Sequence, residues 1–213
     1  MNKTLYLGLE VPAHLKNENV VHLPLIKIIP KKINDPLVIQ AFENFKHYTH
    51  VIFTSRNAVS IFCDLATSFN FPLEEIQSKI VVVVGKHTAK KLRDHQLVAG
   101  YIAKEETAEG VTKVLMDLDL SGSHVFLPQS SLARSVISDW LMEQKIKYTS
   151  CYTYDTASNL PENLPNLAAF EKIVFTSPSV VNAFLKAYGN LPRDKALISI
   201  GPITEQHINR FKA

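Results

Sequence analysis

The chain has 213 residues, 46% of them apolar and 20% charged, with a formal net charge of +3. That charge suits an anionic ligand but is too weak to imply nucleic acid, and the length allows one large domain or two of roughly 100 residues. No apolar run approaches the roughly 20 residues of a membrane span, and Cys63 and Cys151 are too few for a disulfide framework or a four-cysteine zinc site.

In chain order, strand-like runs at 4–9, 20–28, 50–54, 80–84, 98–103, 124–127, 148–153, 172–175 and 196–200 alternate with helical patterns. The helical patterns fall at 57–68, 88–95, 108–118, 131–145, 179–188 and 204–211. The continuous apolar run at 80–84 predicts a strand buried on both faces of a parallel sheet, and the alternation predicts an α/β fold with right-handed crossovers. Met1 to Leu5 carries neither a secretory apolar region nor a small-residue cleavage site, so a cytoplasmic location is expected. Both cysteines sit among apolar neighbours and read as core residues.

Two proline-bearing polar stretches, about 29–36 and 153–165, interrupt the rhythm. Two linkers imply an inserted domain: residues 1–30 plus 160–213 form a discontinuous, reduced first domain of about four strands, and 36–152 the inserted second. An internal repeat agrees. His50-Val51-Ile52-Phe53-Thr54-Ser55 aligns with Lys172-Ile173-Val174-Phe175-Thr176-Ser177, and Val84-Gly85-Lys86-His87-Thr88 with Ile200-Gly201-Pro202-Ile203-Thr204. Each copy lies at a strand-to-helix junction, where parallel α/β sheets bind ligands.

These junctions gather Thr54, Ser55 and Asn57; Lys86, His87 and Thr88; Gln129 and Ser130; Ser177 and Ser179; and Pro202 and Thr204. Asn57 and Ser179 read as N-caps, as do Thr88 and Thr204. Either the hydroxyls only cap helices, or the repeated corners, in two lobes facing a cleft, take a polyanionic ligand at helix N-termini; their number favours the ligand. His47 and His50 read as solvated or structural. No nucleotide-binding, metal or triad motif is present, and no metal or cofactor is expected. Tyr148, Tyr152 and Tyr154 alternate along one strand and so share a face, with Tyr154 at its end as either a weak general acid or a packing aromatic.

Taken together, Leu23-Pro24-Leu25-Ile26, Phe53-Thr54-Ser55-Arg56-Asn57-Ala58-Val59, Val84-Gly85-Lys86-His87-Thr88-Ala89, Ala108-Glu109-Gly110, Leu127-Pro128 with Leu132-Ala133-Arg134, Tyr152-Thr153-Tyr154-Asp155-Thr156, Phe175-Thr176-Ser177-Pro178-Ser179 and Ile200-Gly201-Pro202-Ile203-Thr204 resemble the uroporphyrinogen-III synthase family. The resemblance implies two doubly wound, flavodoxin-like parallel-sheet lobes, the second inserted in the first through a two-stranded linker. It implies a cofactor-independent lyase of haem biosynthesis that cyclises hydroxymethylbilane, a linear polycarboxylate tetrapyrrole, to uroporphyrinogen III. Water is lost and ring D inverted through a spirocyclic intermediate. By the same resemblance Tyr154 assists departure of the hydroxyl, while Thr88, Ser177, Ser179 and Thr204 line the cleft, with Ser55 and Asn57 at the equivalent corner.

A monomer is implied, with transient hand-over from hydroxymethylbilane synthase and no contact with nucleic acid or membrane. The sequence departs from the family where the segment after Leu9 is too short for a full helix, and where Gln129-Ser130 replaces a more basic or glycine-containing corner. These departures leave a second reading, a catalytically impaired tetrapyrrole- or anion-binding protein on the same scaffold.

Overall fold

A computed structural model of the chain describes residues 3–16 and 19–212. Met1, Asn2, Asn17, Glu18 and Ala213 lie outside the described residues, and with them parts of the N-terminal run and of the short segment after Leu9. The chain divides into two compact units, Met1–Ile28 with Thr156–Ala213, and Ile29–Asp155.

The first unit holds four parallel strands, β1 (Thr4–Tyr6), β2 (Val20–His22), β9 (Lys172–Phe175) and β10 (Ala196–Ser199), in the order β10-β9-β1-β2. Helices α7 (Pro178–Tyr188) and α8 (Pro202–Asn209) pack on one face. There Leu5, Leu7, Ile173 and Phe175 meet Val180, Val181, Phe184 and Ile208. The strand period of two sends Tyr6, Val174 and Ile198 to the other face. Between β1 and β2 the described chain makes only a short 3-10 turn, Ala13–Leu15.

The second sheet comprises β3 (Ile26–Pro30), β4 (His50–Phe53), β5 (Ile80–Val83), β6 (Tyr101–Ile102), β7 (His124–Ser130) and β8 (Lys147–Ser158), in the order β3-β8-β7-β4-β5-β6. From β8 to β6 neighbouring strands pair in parallel. Ile52, Val82, Val125 and Leu127 lie under α5 (Ala108–Met116) and α6 (Val136–Glu143). On the opposite face Phe53 and Phe126 pack into an aromatic cluster with Phe42, Phe45, Tyr48 and Phe62. Those rings come from α1 (Pro36–Glu43), α2 (Arg56–Ser68) and, between them, the 3-10 turn Phe45–His47 and the residue that follows it, while α4 (Lys86–Asp94) lies against α2. Both faces are covered, which explains the unbroken apolar sequence of β5.

Several expected elements differ. The run at 20–28 is two strands, because Leu23-Pro24-Leu25 interrupts the ladder and redirects the chain from β2 into β3. The helix expected from 131 starts at Val136, since residues 131–135 form a turn in which Ser130 Oγ accepts from the Leu132 amide. Two helices escaped the pattern: α1, started by the Asp35 side chain accepting from the Leu37 amide with Pro36 at its first position, and α3 (Leu73–Gln77). Strand β8 continues past Tyr154 to Ser158, so Tyr154 is not at its end. No described helix is long and apolar enough to cross a membrane.

Candidate functional site

Parallel strands place all their carboxyl ends along one edge of each sheet, so the duplicated corners of each unit line up there. The copies match in detail. Ser55 and Ser177 have the same extended backbone (φ −159 and −165) and cap α2 and α7, their Oγ atoms accepting from the Ala58 and Val180 amides at 3.0 and 3.3 Å. Gly85 and Gly201 are the extended N-cap residues of α4 and α8. The N-caps are thus Ser55, Ser177, Gly85 and Gly201, not Asn57, Ser179, Thr88 and Thr204. Asn57 and Ser179 fall at the second helical position, and Thr88 and Thr204 at the third, because each strand hands directly to its helix. Thr88 and Thr204 are buried, Thr54 and Asn57 half-buried, and Lys86, His87 and Pro202 exposed.

The structure brings some of these residues together. Ser177 and Ser179 hydroxyls meet at 2.9 Å. Tyr154 Oη lies 2.9 Å from Ser55 Oγ. A β-bulge decides the latter contact: β7 and β8 pair Gln129 with Tyr152 but Ser130 with Tyr154, so Thr153 is the extra residue. The bulge breaks strand parity, and the three tyrosines do not share a face. Tyr152 is 47% exposed, whereas Tyr154 is 5% exposed and turned inward to the N-terminus of α2. Burial pushes the Tyr154 phenol above its ordinary value, with the Ser55 hydrogen bond opposing. It therefore stays protonated at neutral pH.

Three contacts lay beyond sequence reasoning, which had no local signal for partners this distant in the chain. The Glu106 carboxylate accepts from the Lys86 amide at 3.0 Å and lies over Gly85, where an added Cβ would come within 2.5 Å of it. Arg134 grips Glu109 with both terminal guanidinium nitrogens, at 2.6 and 2.9 Å, tying the 131–135 turn to the start of α5. The grip holds the Glu109 carboxyl at about 2. Lys31 pairs with Asp155 at 2.7 Å beside the backbone bond from Lys31 N to Thr153 O.

His50, on the opposite strand ends, is buried, with Nδ1 bonded to Thr49 Oγ1 and Nε2 without a partner among the described residues. At that end too lies a cavity of about 300 Å³ beside Tyr48, His124 and Thr149, away from the carboxyl-edge corners. Cys63 and Cys151 are buried, free thiols pushed by burial to about 12 and about 11. Among the described residues no cluster of His, Cys, Asp or Glu has the makings of a metal site.

Duplicated parallel-sheet units with polar, serine-capped carboxyl-edge corners define a class of two-lobed α/β proteins. The family model for uroporphyrinogen-III synthase HemD matches residues 15–213, and the chain belongs to that family. It is 22% identical over 198 residues to the porphyrin biosynthesis protein HemD of Ruminiclostridium josui, covering 90% of this chain and 39% of that protein. It is 30% identical over 174 residues to a putative uroporphyrinogen-III synthase of Methanothermobacter thermautotrophicus, covering 72% of this chain and 66% of that one. The chain thus spans less than two thirds of the length of these two relatives.

Among solved structures, a mutant uroporphyrinogen III synthase from the extremely thermophilic bacterium Thermus thermophilus superposes with a TM-score of 0.71 at 12% identity. The synthetase from Helicobacter pylori does so at 0.67 and 21%. Both matches cover 100% of this chain and 90% of the other, and they establish the two-lobed α/β fold.

Proposed function

We propose that this chain is a uroporphyrinogen-III synthase, cyclising hydroxymethylbilane to uroporphyrinogen III with loss of one water and inversion of ring D through a spirocyclic intermediate. The observation that carries this reading is the family match across residues 15–213. The substrate is a polycarboxylate, and the corners offer it what such a molecule needs. Thr54, Asn57, Lys86, His87, Thr88, Gln129 and Ser130 in one unit, and Ser177, Ser179, Pro202 and Thr204 in the other, supply hydroxyls, amides and helix N-termini for carboxylates, while the Ser55 hydroxyl is engaged with Tyr154 and the cap of α2.

In this reading Tyr154 gives its phenolic proton to the departing hydroxyl, which leaves as water. Its support is a buried, neutral phenol at a carboxyl-edge corner. The substituted ring-D carbon then attacks the methylene carbon that lost the hydroxyl, giving the spirocycle; its bond to the neighbouring bridge breaks, that bridge bonds to the free ring-D carbon, and the proton displaced there restores the phenol. The protein's main contribution is to hold the chain so that the first attack outruns spontaneous closure. The same reading makes the protein a cytoplasmic monomer that receives its substrate from hydroxymethylbilane synthase.

The test is a coupled assay. Hydroxymethylbilane made in situ by its synthase is supplied to the protein, and the products are oxidised and separated by isomer. The expected result is predominantly isomer III; isomer I alone, with folded protein present, overturns the proposal.

A further inference from the structure

We propose that Ser55 is the positioning residue of Tyr154, its hydroxyl proton resting on the phenol oxygen so that the phenol's own proton stays free for the substrate. This rests on the role given to Tyr154 above. Two observations carry it, both within one unit: the 2.9 Å contact between the two oxygens, and the 3.0 Å bond from the Ala58 amide to the same Ser55 oxygen.

A serine hydroxyl has one proton and two lone pairs. One lone pair is committed to the Ala58 N–H, as the cap of α2. An oxygen already accepting from an N–H becomes a stronger donor and a weaker second acceptor, so the remaining interaction runs from Ser55 O–H to the Tyr154 oxygen. The Tyr154 phenol has no other hydrogen-bond partner among the described residues, which leaves its proton uncommitted. Both ends of the contact are fixed. Ala58, Val59 and Phe62 bury the first turns of α2, and the bulge at Thr153 sets the phenol against them. Through Ser55 the positive end of the α2 dipole also reaches the phenol. Ser55 thus acts on the substrate through Tyr154.

The experiment compares Ser55→Ala, Ser55→Gly and Ser55→Thr with Tyr154→Phe and with Thr107→Ala, which removes the cap of α5 instead. Glycine is included because it caps nearly as well as serine while lacking the hydroxyl. Steady-state constants for isomer III formation are measured on each. The Tyr154 resonance is followed in 13C-tyrosine-labelled protein, assigned through Tyr154→Phe.

The expected result is a fall of about tenfold in kcat with KM within about twofold for Ser55→Ala and Ser55→Gly, and recovery in Ser55→Thr. The phenol titration midpoint should move upward in both hydroxyl-lacking variants, because the lost donor had favoured the phenolate. Thr107→Ala should lower Tm by about 2–4 °C and keep kcat.

A raised KM with unchanged kcat would make Ser55 a substrate contact and overturn the proposal. So would a downward midpoint, which reverses the donor, or a Thr107→Ala loss of kcat equal to that of Ser55→Ala. A full rate in Tyr154→Phe would instead remove the reading beneath it, a separate failure seen in a separate variant.

Discussion

Tyr154, to which the proposed function assigns the proton transfer, is a residue that the sequence could suggest but not orient. Replacing it with phenylalanine removes one oxygen and leaves the ring in place, so Tm should stay within about 2 °C of the parent. The rate of isomer III formation should fall about 10- to 100-fold without vanishing, since orientation of the substrate survives. Full activity would return Tyr154 to a packing role. Other residue readings divide by how local their cause is. The burial of Cys63 and Cys151 followed from apolar neighbours in the sequence. The caps did not follow as expected, because a Ser or Thr within two residues of a strand end is ambiguous until the φ of each residue is known. Ser55 and Ser177, rather than Asn57 and Ser179, take the extended conformation that aims a side chain back at the third amide along.

Among elements, the strands and helices with strong periodicity stood close to their expected places, as β4, β5, β9, α2 and α7 do. The failures have physical causes. Helix α1 opens inside a proline-bearing stretch, where Pro36 is the first helical residue rather than a breaker. Helix α3 has only five residues and is too short to show a period. The join of α5 to the turn after β7 is likewise tertiary, since Arg134 and Glu109 are 25 residues apart. This fork makes a prediction about acid stability. The Glu109 carboxyl is held at about 2 against an ordinary value of 4.5, first by the Arg134 hydrogen bonds. A depressed folded value means that the stabilisation is present above pH 4.5 and is lost as pH falls through about 2. Both side chains are more than a third exposed, so the gain is modest, below about 1 kcal/mol. Urea titrations should show that Glu109→Gln is less stable than the parent at about pH 6 and that the gap closes towards about pH 2; a constant gap would mean that the charge contributes nothing.

At the scale of the whole molecule, burial lowers the titration of His50, His124 and His207, which lie in both units. Each folded value lies below the ordinary 6.5, so the unfolded chain takes up protons first as pH drops. Stability should therefore be full above about pH 6.5 and decline below it. The Tm measured from about pH 8 to about pH 5.5 should fall, and His50→Gln should flatten that fall; an unchanged Tm across the range would show that these imidazoles titrate as in the unfolded chain.

The α/β class and the duplication were legible in one dimension, because periodicity, proline placement and repeated Phe-Thr-Ser and Gly-x-x-Thr junctions are local, and the family was legible as a resemblance carried by the order of the motifs along the chain. Only the tertiary structure decided which hydroxyl caps which helix, that a bulge turns Tyr154 inward onto Ser55, and that Glu106 and Arg134 reach across the second unit. These depend on the register between strands and on φ angles at single residues, and a shift of one residue in pairing reverses the direction of every side chain beyond it.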